Sequence, residues 1–197
     1  MTEPPVTPSL AFVKTPVWDR AESATQEGFC ELVDALGADC TEVALPAIFQ
    51  EWQGALTTLM QAGMARGLEG YYAKGKEQLS PTLRRIIEDG RKVTAVSYLT
   101  ALDWRAALSN GLEQLFDRYD AIVTPAANGE APQDLGTTGD PTFCGLWTLC
   151  GVPAISLPLL TGPNGLPIGV QVVGRRGEDA RLLRTARWLS RRLAAQP

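Results

Sequence analysis

"GVPAISLPLLTGPNGLPIGVQVVG" spans residues 151–174 and reads as two apolar strands, 154–159 and 168–173, joined by a Pro/Gly-rich turn. A ribbon this apolar is expected to lie buried, with sheet on each side of it and a site nearby. The fold therefore turns on what the rest of the chain supplies around it.

Upstream, "LAFVK" (10–14) suits a short buried strand. From Ala21 to Leu36 the apolar residues Phe29, Leu32, Val33 and Leu36 recur at spacings of three and four, which is helical, and Gly37 fits a C-cap. "CTEVAL" (40–45) is a second strand, so the three segments form a βαβ unit with a right-handed crossover expected. Pro46 opens a helical region to about Tyr72. Ser80 and Pro81 mark the cap and first position of a helix ending at Gly90. Thr94–Tyr119 is the longest periodic segment, and "DAIVTP" (120–125) is the next strand. Residues 126–140 form a long loop, of the kind that is often functional. "PTFCGLWTLCG" (141–151) fits a short buried helix. The C-terminal helix carries an inner stripe of Leu182, Ala186, Leu189 and Leu193, with five arginines mostly outside it. Residues 1–9 are expected to be a flexible tail, and 10–197 a single α/β domain with helices on both faces of a sheet.

Composition narrows the function. The net charge of −4 offers no basic field, so nucleic acid is not an expected partner. No apolar run is long enough to span a bilayer, and the N-terminus lacks the regions of a signal peptide, so a cytoplasmic location is expected. The four cysteines form no CxxC pair and are expected to be reduced, mostly interior thiols. The sequence has no histidine, which removes Ser-His-Asp and Cys-His catalysis and most zinc sites. No cofactor or metal is expected. "GRRGEDAR" could suggest a phosphate site, yet Glu178 and Asp179 would repel the anion and fit instead as favourable charges on the helix dipole.

"YDAIVTPAANGEAP", "GDPTFCGLWTLCGVPAISLPLL", "GLPIGVQVVGRRGEDARLLRTARWL" and, more weakly, "LAFVKTPVWDRAESAT" resemble the C-terminal half of amidase signature enzymes. The resemblance covers roughly residues 10–194. It implies an α/β fold that is part of a mixed β-sheet core, and an enzyme family that hydrolyses amides through a serine nucleophile, a second serine and a lysine. That device lies in a Gly/Ser-rich region N-terminal to everything matched here. This sequence has no Ser-Ser and no Gly-Gly pair, and Lys14, Lys74, Lys76 and Lys92 stand in no matching context. No catalytic residue is carried over, and no turnover is expected from this chain alone. The ribbon would be continued by strands of the first half. Self-association or a partner chain supplying that half is therefore expected.

The resemblance also marks candidate substrate contacts. Asp140 matches a position that, in the amidase subunits of tRNA amidotransferases, helps hold the substrate's amino group; it also fits a helix cap before Pro141. Phe143 and Trp147, four apart, share a helix face and could line an acyl pocket or fill the core. Arg84 or Arg85 in "LRRII" resembles a substrate-binding arginine of those subunits or is a solvated charge. Thr137, Thr138 and Gly139 form a polar turn at the expected pocket mouth. The implied substrate is a small-molecule amide bound by the complete enzyme. The alternative is a non-catalytic binding or association module derived from an amidase. A cysteine nucleophile at Cys144 or Cys150 is disfavoured, because nothing basic neighbours either.

Overall fold

The computed structural model describes residues 6–133 and 136–194. Five strands form a mixed sheet: β1 (Leu10–Phe12), β2 (Cys40–Glu42), β3 (Ala121–Pro125), β4 (Ala154–Thr161) and β5 (Pro167–Val173). Their spatial order is β2-β1-β3-β5-β4. The pairs β1–β2 and β1–β3 are parallel; β3–β5 and β5–β4 are antiparallel. The central strands are covered on both faces, which is why they read as unbroken apolar runs rather than alternating ones.

Alternate side chains divide between two helical layers. Leu10, Phe12, Val123, Val170 and Val172 meet Phe29 and Leu32 of α1 (Ser23–Leu36) and Leu182 and Leu189 of α7 (Asp179–Ala194). Ala11, Val13, Ile122 and Val173 face the other way. They pack against α2 (Trp52–Gly67), α5 (Ala95–Phe116) and α6 (Thr142–Cys150), through Trp52, Leu108, Leu112, Leu146 and Trp147. Each large apolar side chain removed from water contributes about 1.5–3 kcal/mol, so these two layers supply the main driving force. The helices α3 (Glu69–Gly75) and α4 (Pro81–Gly90) lie outside this framework.

Local chemistry sets the boundaries. Ser80 Oγ accepts the Leu83 N–H at 3.3 Å with Pro81 in the first turn, and Thr94 Oγ1 accepts the Ser97 N–H at 3.1 Å, so α4 and α5 start at side-chain caps. The single helical region expected from Pro46 to Tyr72 is instead three pieces. A 3₁₀ turn occupies Ala47–Glu51, and α2 and α3 separate at Leu68, whose φ of −104° leaves the helical region between Gly67 and Gly70. Of the expected flexible tail, residues 1–5 lie outside the described residues. Pro8 is buried, and Ser9 is tied to Asp120 by two bonds of 2.8 Å.

The apolar ribbon is not flanked on both sides. β5 is interior, but β4 is at the margin of the sheet and pairs with β5 alone among the described residues. Its Ile155, Leu157 and Leu159 lean on the α1–α7 layer, while Ala154, Ser156 and Pro158 are exposed on the other face. Pro158 has no N–H for a ladder, and the register shifts between Leu157 and Leu160. Both features belong to edge strands. Among the described residues, no helix is long and apolar enough to cross a membrane.

Candidate functional site

The parallel strands β1 and β3 open at their carboxyl ends into one crevice, the place where α/β sheets bind ligands. After β1 the chain makes a 3₁₀ turn at Trp18–Arg20 and reaches Glu22. After β3 it enters the loop from Ala126 towards α6. Between this loop, the start of α6 and the strands β4 and β5 lies a cavity of about 660 Å³, with Glu22, Glu130, Thr138, Asp140, Cys144 and Ser156 in its wall. Backbone hydrogen bonds hold the wall in place: Ala126 N–H to Gly169 O at 3.0 Å, Ala131 N–H to Pro167 O at 3.0 Å, and Glu22 N–H to Asn128 O at 2.7 Å. Gly169 keeps the floor open, since a Cβ there would meet Ser156 Oγ at 2.6 Å and Ala126 Cβ at 2.9 Å.

The carboxylates of this wall are engaged by the protein. Asp140 Oδ1 accepts the Thr142 N–H at 2.9 Å and the Thr142 hydroxyl, while its other oxygen pairs with Arg20. The Thr142 hydroxyl, then the Thr142 N–H, Arg20 and Asn128 hold the Asp140 carboxyl below its usual range, against a smaller opposing effect of desolvation. Glu130 accepts N–H bonds from Asn164 at 3.2 Å and Leu166 at 3.4 Å, and also from the Asn164 side chain, so it organises the β4–β5 turn. The Cys144 thiol donates to Ala126 O at 3.4 Å and receives the Gln171 side-chain N–H at 3.5 Å. Burial raises its pKa, a shift that the Gln171 bond only partly offsets.

A second cavity of about 400 Å³ lies between α2 and α6, with Trp52, Leu56, Met60, Gly145 and Thr148 in its wall. It adjoins the first at Pro141 and Cys144, which line both. Gly145 permits this approach of the helices, because a Cβ there would lie 2.4 Å from the Trp52 ring.

The candidate residues read from the sequence fall in three places. Asp140 and Thr138 line the larger cavity, and the turn they belong to is closed by a Gly139 N–H to Thr137 Oγ1 bond of 3.1 Å. Asp140 accepts the Thr142 N–H at the first residue of α6, but the N-cap position is Pro141, one residue later than expected for the cap, and it makes no side-chain cap bond. Phe143 and Trp147 do share a face of α6, but it is the face against the sheet: each is 1% exposed, within the core, and neither lines either of these two cavities. The outer face of α6, through Cys144, Gly145 and Thr148, lines the groove instead. Arg85 is exposed on α4 and lines neither cavity. Sequence reasoning missed Glu130, Ser156, Trp52 and Leu56. Gly169 within an apolar strand was the available signal for a close approach there. The thiols are free, with Cys40 and Cys150 buried, but Cys30 is exposed on α1 rather than interior.

The wall therefore has a hydroxyl at Ser156 and a thiol at Cys144, yet neither cavity has a lysine or arginine in its lining among the described residues. With no histidine in the chain, the groups of this wall that could serve as a base among the described residues are the carboxylates Glu22, Glu130 and Asp140. The arrangement can bind and orient a polar ligand. A family model described as Amidase matches residues 3–183. The chain belongs to the amidase family. It is similar to a fatty acid amide hydrolase of Medicago truncatula, with 30% identity over 192 residues, covering 88% of this chain and 32% of that protein. It is also similar to a glutamyl-tRNA(Gln) amidotransferase subunit from Agathobacter rectalis, 33% identical over 132 residues, covering 60% of this chain and 26% of that protein. A solved amidase structure superposes with a TM-score of 0.82 at 28% identity, over 97% of this chain and 47% of that one. This amidase-family chain thus spans about a third of the first of these curated relatives, 32%, and about half of the solved amidase, 47%.

Proposed function

We propose that this chain forms the C-terminal part of an amide hydrolase, supplying sheet, pocket wall and substrate contacts. The serine nucleophile and the lysine that activates it come from a separate polypeptide or segment. One observation carries the reading: a ligand-sized cavity at the carboxyl ends of β1 and β3, with Asp140, Thr138 and Ser156 in its wall and no lysine in its lining among the described residues. The open edge of β4 is the place at which the complementary part would continue the sheet. The reaction is acyl transfer from the amide nitrogen to serine, with release of the amine and hydrolysis of the ester by water. Here the wall residues position the amide, with Asp140 fixed by Thr142 and Arg20.

The test is ammonia release from simple primary amides. The chain is assayed alone and with the N-terminal segment of a related amidase that carries the Ser-Ser-Lys device. The reading expects no release from the chain alone and release from the mixture. The second reading is a non-catalytic binding module, favoured by the same lack of a lysine in the lining among the described residues; it expects ligand binding with no turnover in either sample.

A further inference from the structure

The two helical layers differ on the sides they turn to water. The α1–α7 layer is charged there: Glu27, Glu31, Asp34, Arg181 and Arg191 all stand exposed. The α2–α5 layer is not. Arg66 is the one charged residue of α2, and from 95 to 107 α5 has only Asp103 and Arg105. A helix that is apolar or small on every side is built to be covered on every side. Yet Val96 is 74% exposed and Leu99 58%, with Met60 and Tyr98 exposed as well.

The place of this surface follows from the length of α5. At 22 residues it runs about 33 Å, whereas the five residues of β3 run about 17 Å. Its second half lies on the sheet through Leu108, Leu112, Leu115 and Phe116; in its first half only Ala101 is buried. Arg175, just beyond the carboxyl end of β5, donates to Glu113 O at 3.1 Å and pairs with Asp117. Since β5 is antiparallel to β3, the end of α5 is held at the amino end of β3. The first half of α5 therefore overhangs the carboxyl end, where the larger cavity opens. A groove of about 350 Å³ between α2 and this overhang has Ala55, Val96, Thr100 and Trp104 in its wall, with Glu51 as its one charged residue. On the other flank of α2 lies the groove of about 400 Å³, which adjoins the larger cavity at Pro141 and Cys144. One surface poor in charge thus extends from the cavity across α2 to α5, the composition of an interface core rather than of a solvated face.

We infer that the outer face of α2 and the overhanging half of α5 form the docking surface for the part of the enzyme that carries the serine and the lysine. This rests on the reading above and adds where that part is held. The size of the occupant supports it. The solved amidase matches 97% of this chain, and this chain covers 47% of it, so more than half of that fold lies outside. A body of that size that reaches the cavity with a nucleophile also meets the surface beside it. The edge of β4 offers it backbone hydrogen bonds, and the α2–α5 face offers the apolar area.

Leu99→Cys reports the contact. Alkylation of the new thiol by iodoacetamide is followed by peptide mass spectrometry, with Cys30, exposed among the charges of α1, as an internal reference. The chain is compared alone, fused behind the part of the solved amidase that it does not cover, and mixed with that part, so that the test does not depend on one fusion folding. Alone, the new thiol is expected to react as Cys30 does at every protein concentration. In the fusion or the mixture it is expected to slow by roughly tenfold or more, because thiol reactivity follows exposure, while Cys30 does not change. Leu99→Glu is expected to leave the denaturation midpoint of the chain alone unchanged and to lower that of the fusion. Equal reactivity of the new thiol with and without the added part would overturn the inference, as would an unaltered midpoint of the Leu99→Glu fusion. Slowing with concentration in the chain alone would assign the face to a second copy and overturn it too. Protection of the new thiol without ammonia release would sink the hydrolase reading and leave this one standing. Ammonia release with the new thiol still reactive would do the reverse.

Discussion

Arg20 and Asp140, 120 positions apart in the chain, form an ion pair across the mouth of the larger cavity. The pair joins the turn after β1 to the loop before α6. Two segments that follow different strands are thereby held on one wall. Asp140 also accepts the Thr142 N–H at 2.9 Å, so a single carboxylate both holds the first residue of α6 and closes the rim.

Replacing that carboxylate should loosen the rim first. Asp140→Ala removes the acceptor of the Thr142 N–H and hydroxyl, a hydrogen bond being worth about 1 kcal/mol, and frees Arg20. The expected result is faster hydrogen exchange at Thr142 with little change at β3. The pH dependence has a definite sign. Asp140 is held below its usual range when folded, so its contribution is present above the unfolded pKa of about 3.9 and fades as pH falls through the lower folded value. The protection of the Thr142 amide, its intrinsic exchange rate relative to the observed rate at the same pH, should therefore fall on acidification in the native chain and change less in Asp140→Asn.

Gly145→Ala tests the packing of α6 on α2. The new Cβ would lie 2.4 Å from the Trp52 ring, which is 4% exposed and has little room to retreat. Overpacking of this kind costs about 1–3 kcal/mol. A lowered denaturation midpoint is expected, with a changed Trp fluorescence spectrum in the native state. An unaltered midpoint would mean that α6 and α2 are further apart than described.

Buried thiols give the alkaline limb of stability. Burial pushes Cys40 and Cys150 from 9.0 up to about 11. Each thus stabilises the fold fully below the unfolded value, and that contribution is lost as pH rises towards the folded one. Between 9.0 and about 11 the melting temperature should decline, and Cys150→Ala should flatten part of the slope. In alkylation at neutral pH, Cys30 should react first and Cys40 and Cys150 last.

The strand order was partly legible in the sequence. Strand, helix, strand from Leu10 to Glu42 emerged from spacing alone, and Ser80 and Pro81 marked a helix start because caps are local chemistry. The position of β4 did not emerge, because an apolar edge strand and an interior one have similar composition. Pro158 was the residue that carried the distinction. At the site, the family resemblance marked Asp140 and the polar turn before α6 marked Thr138, and both line the larger cavity. Trp52, Leu56 and Met60 could not be picked out, since which face of α2 meets α6 is settled by tertiary packing. For the same reason, the spacing of Phe143 and Trp147 fixed a shared face but not its direction.

The edge of β4 predicts association. Its backbone groups are open on one side, and only Pro158 and the register shift blunt them. The purified chain should elute larger than its 21.2 kDa at high concentration. Ala154→Lys, at an exposed position of the edge, should move it towards monomer by like-charge repulsion. A monomer unaffected by concentration would count against an open edge.

Treatment with a fluorophosphonate, which modifies activated serines, followed by intact-mass measurement tests the division of labour most directly. The chain alone should show no adduct on any of its seven serines, and in the amide-hydrolysing mixture the adduct should reside on the added segment. A stoichiometric adduct on this chain by itself, accompanied by ammonia release that the reagent abolishes, would contradict the claim that its nucleophile lies elsewhere.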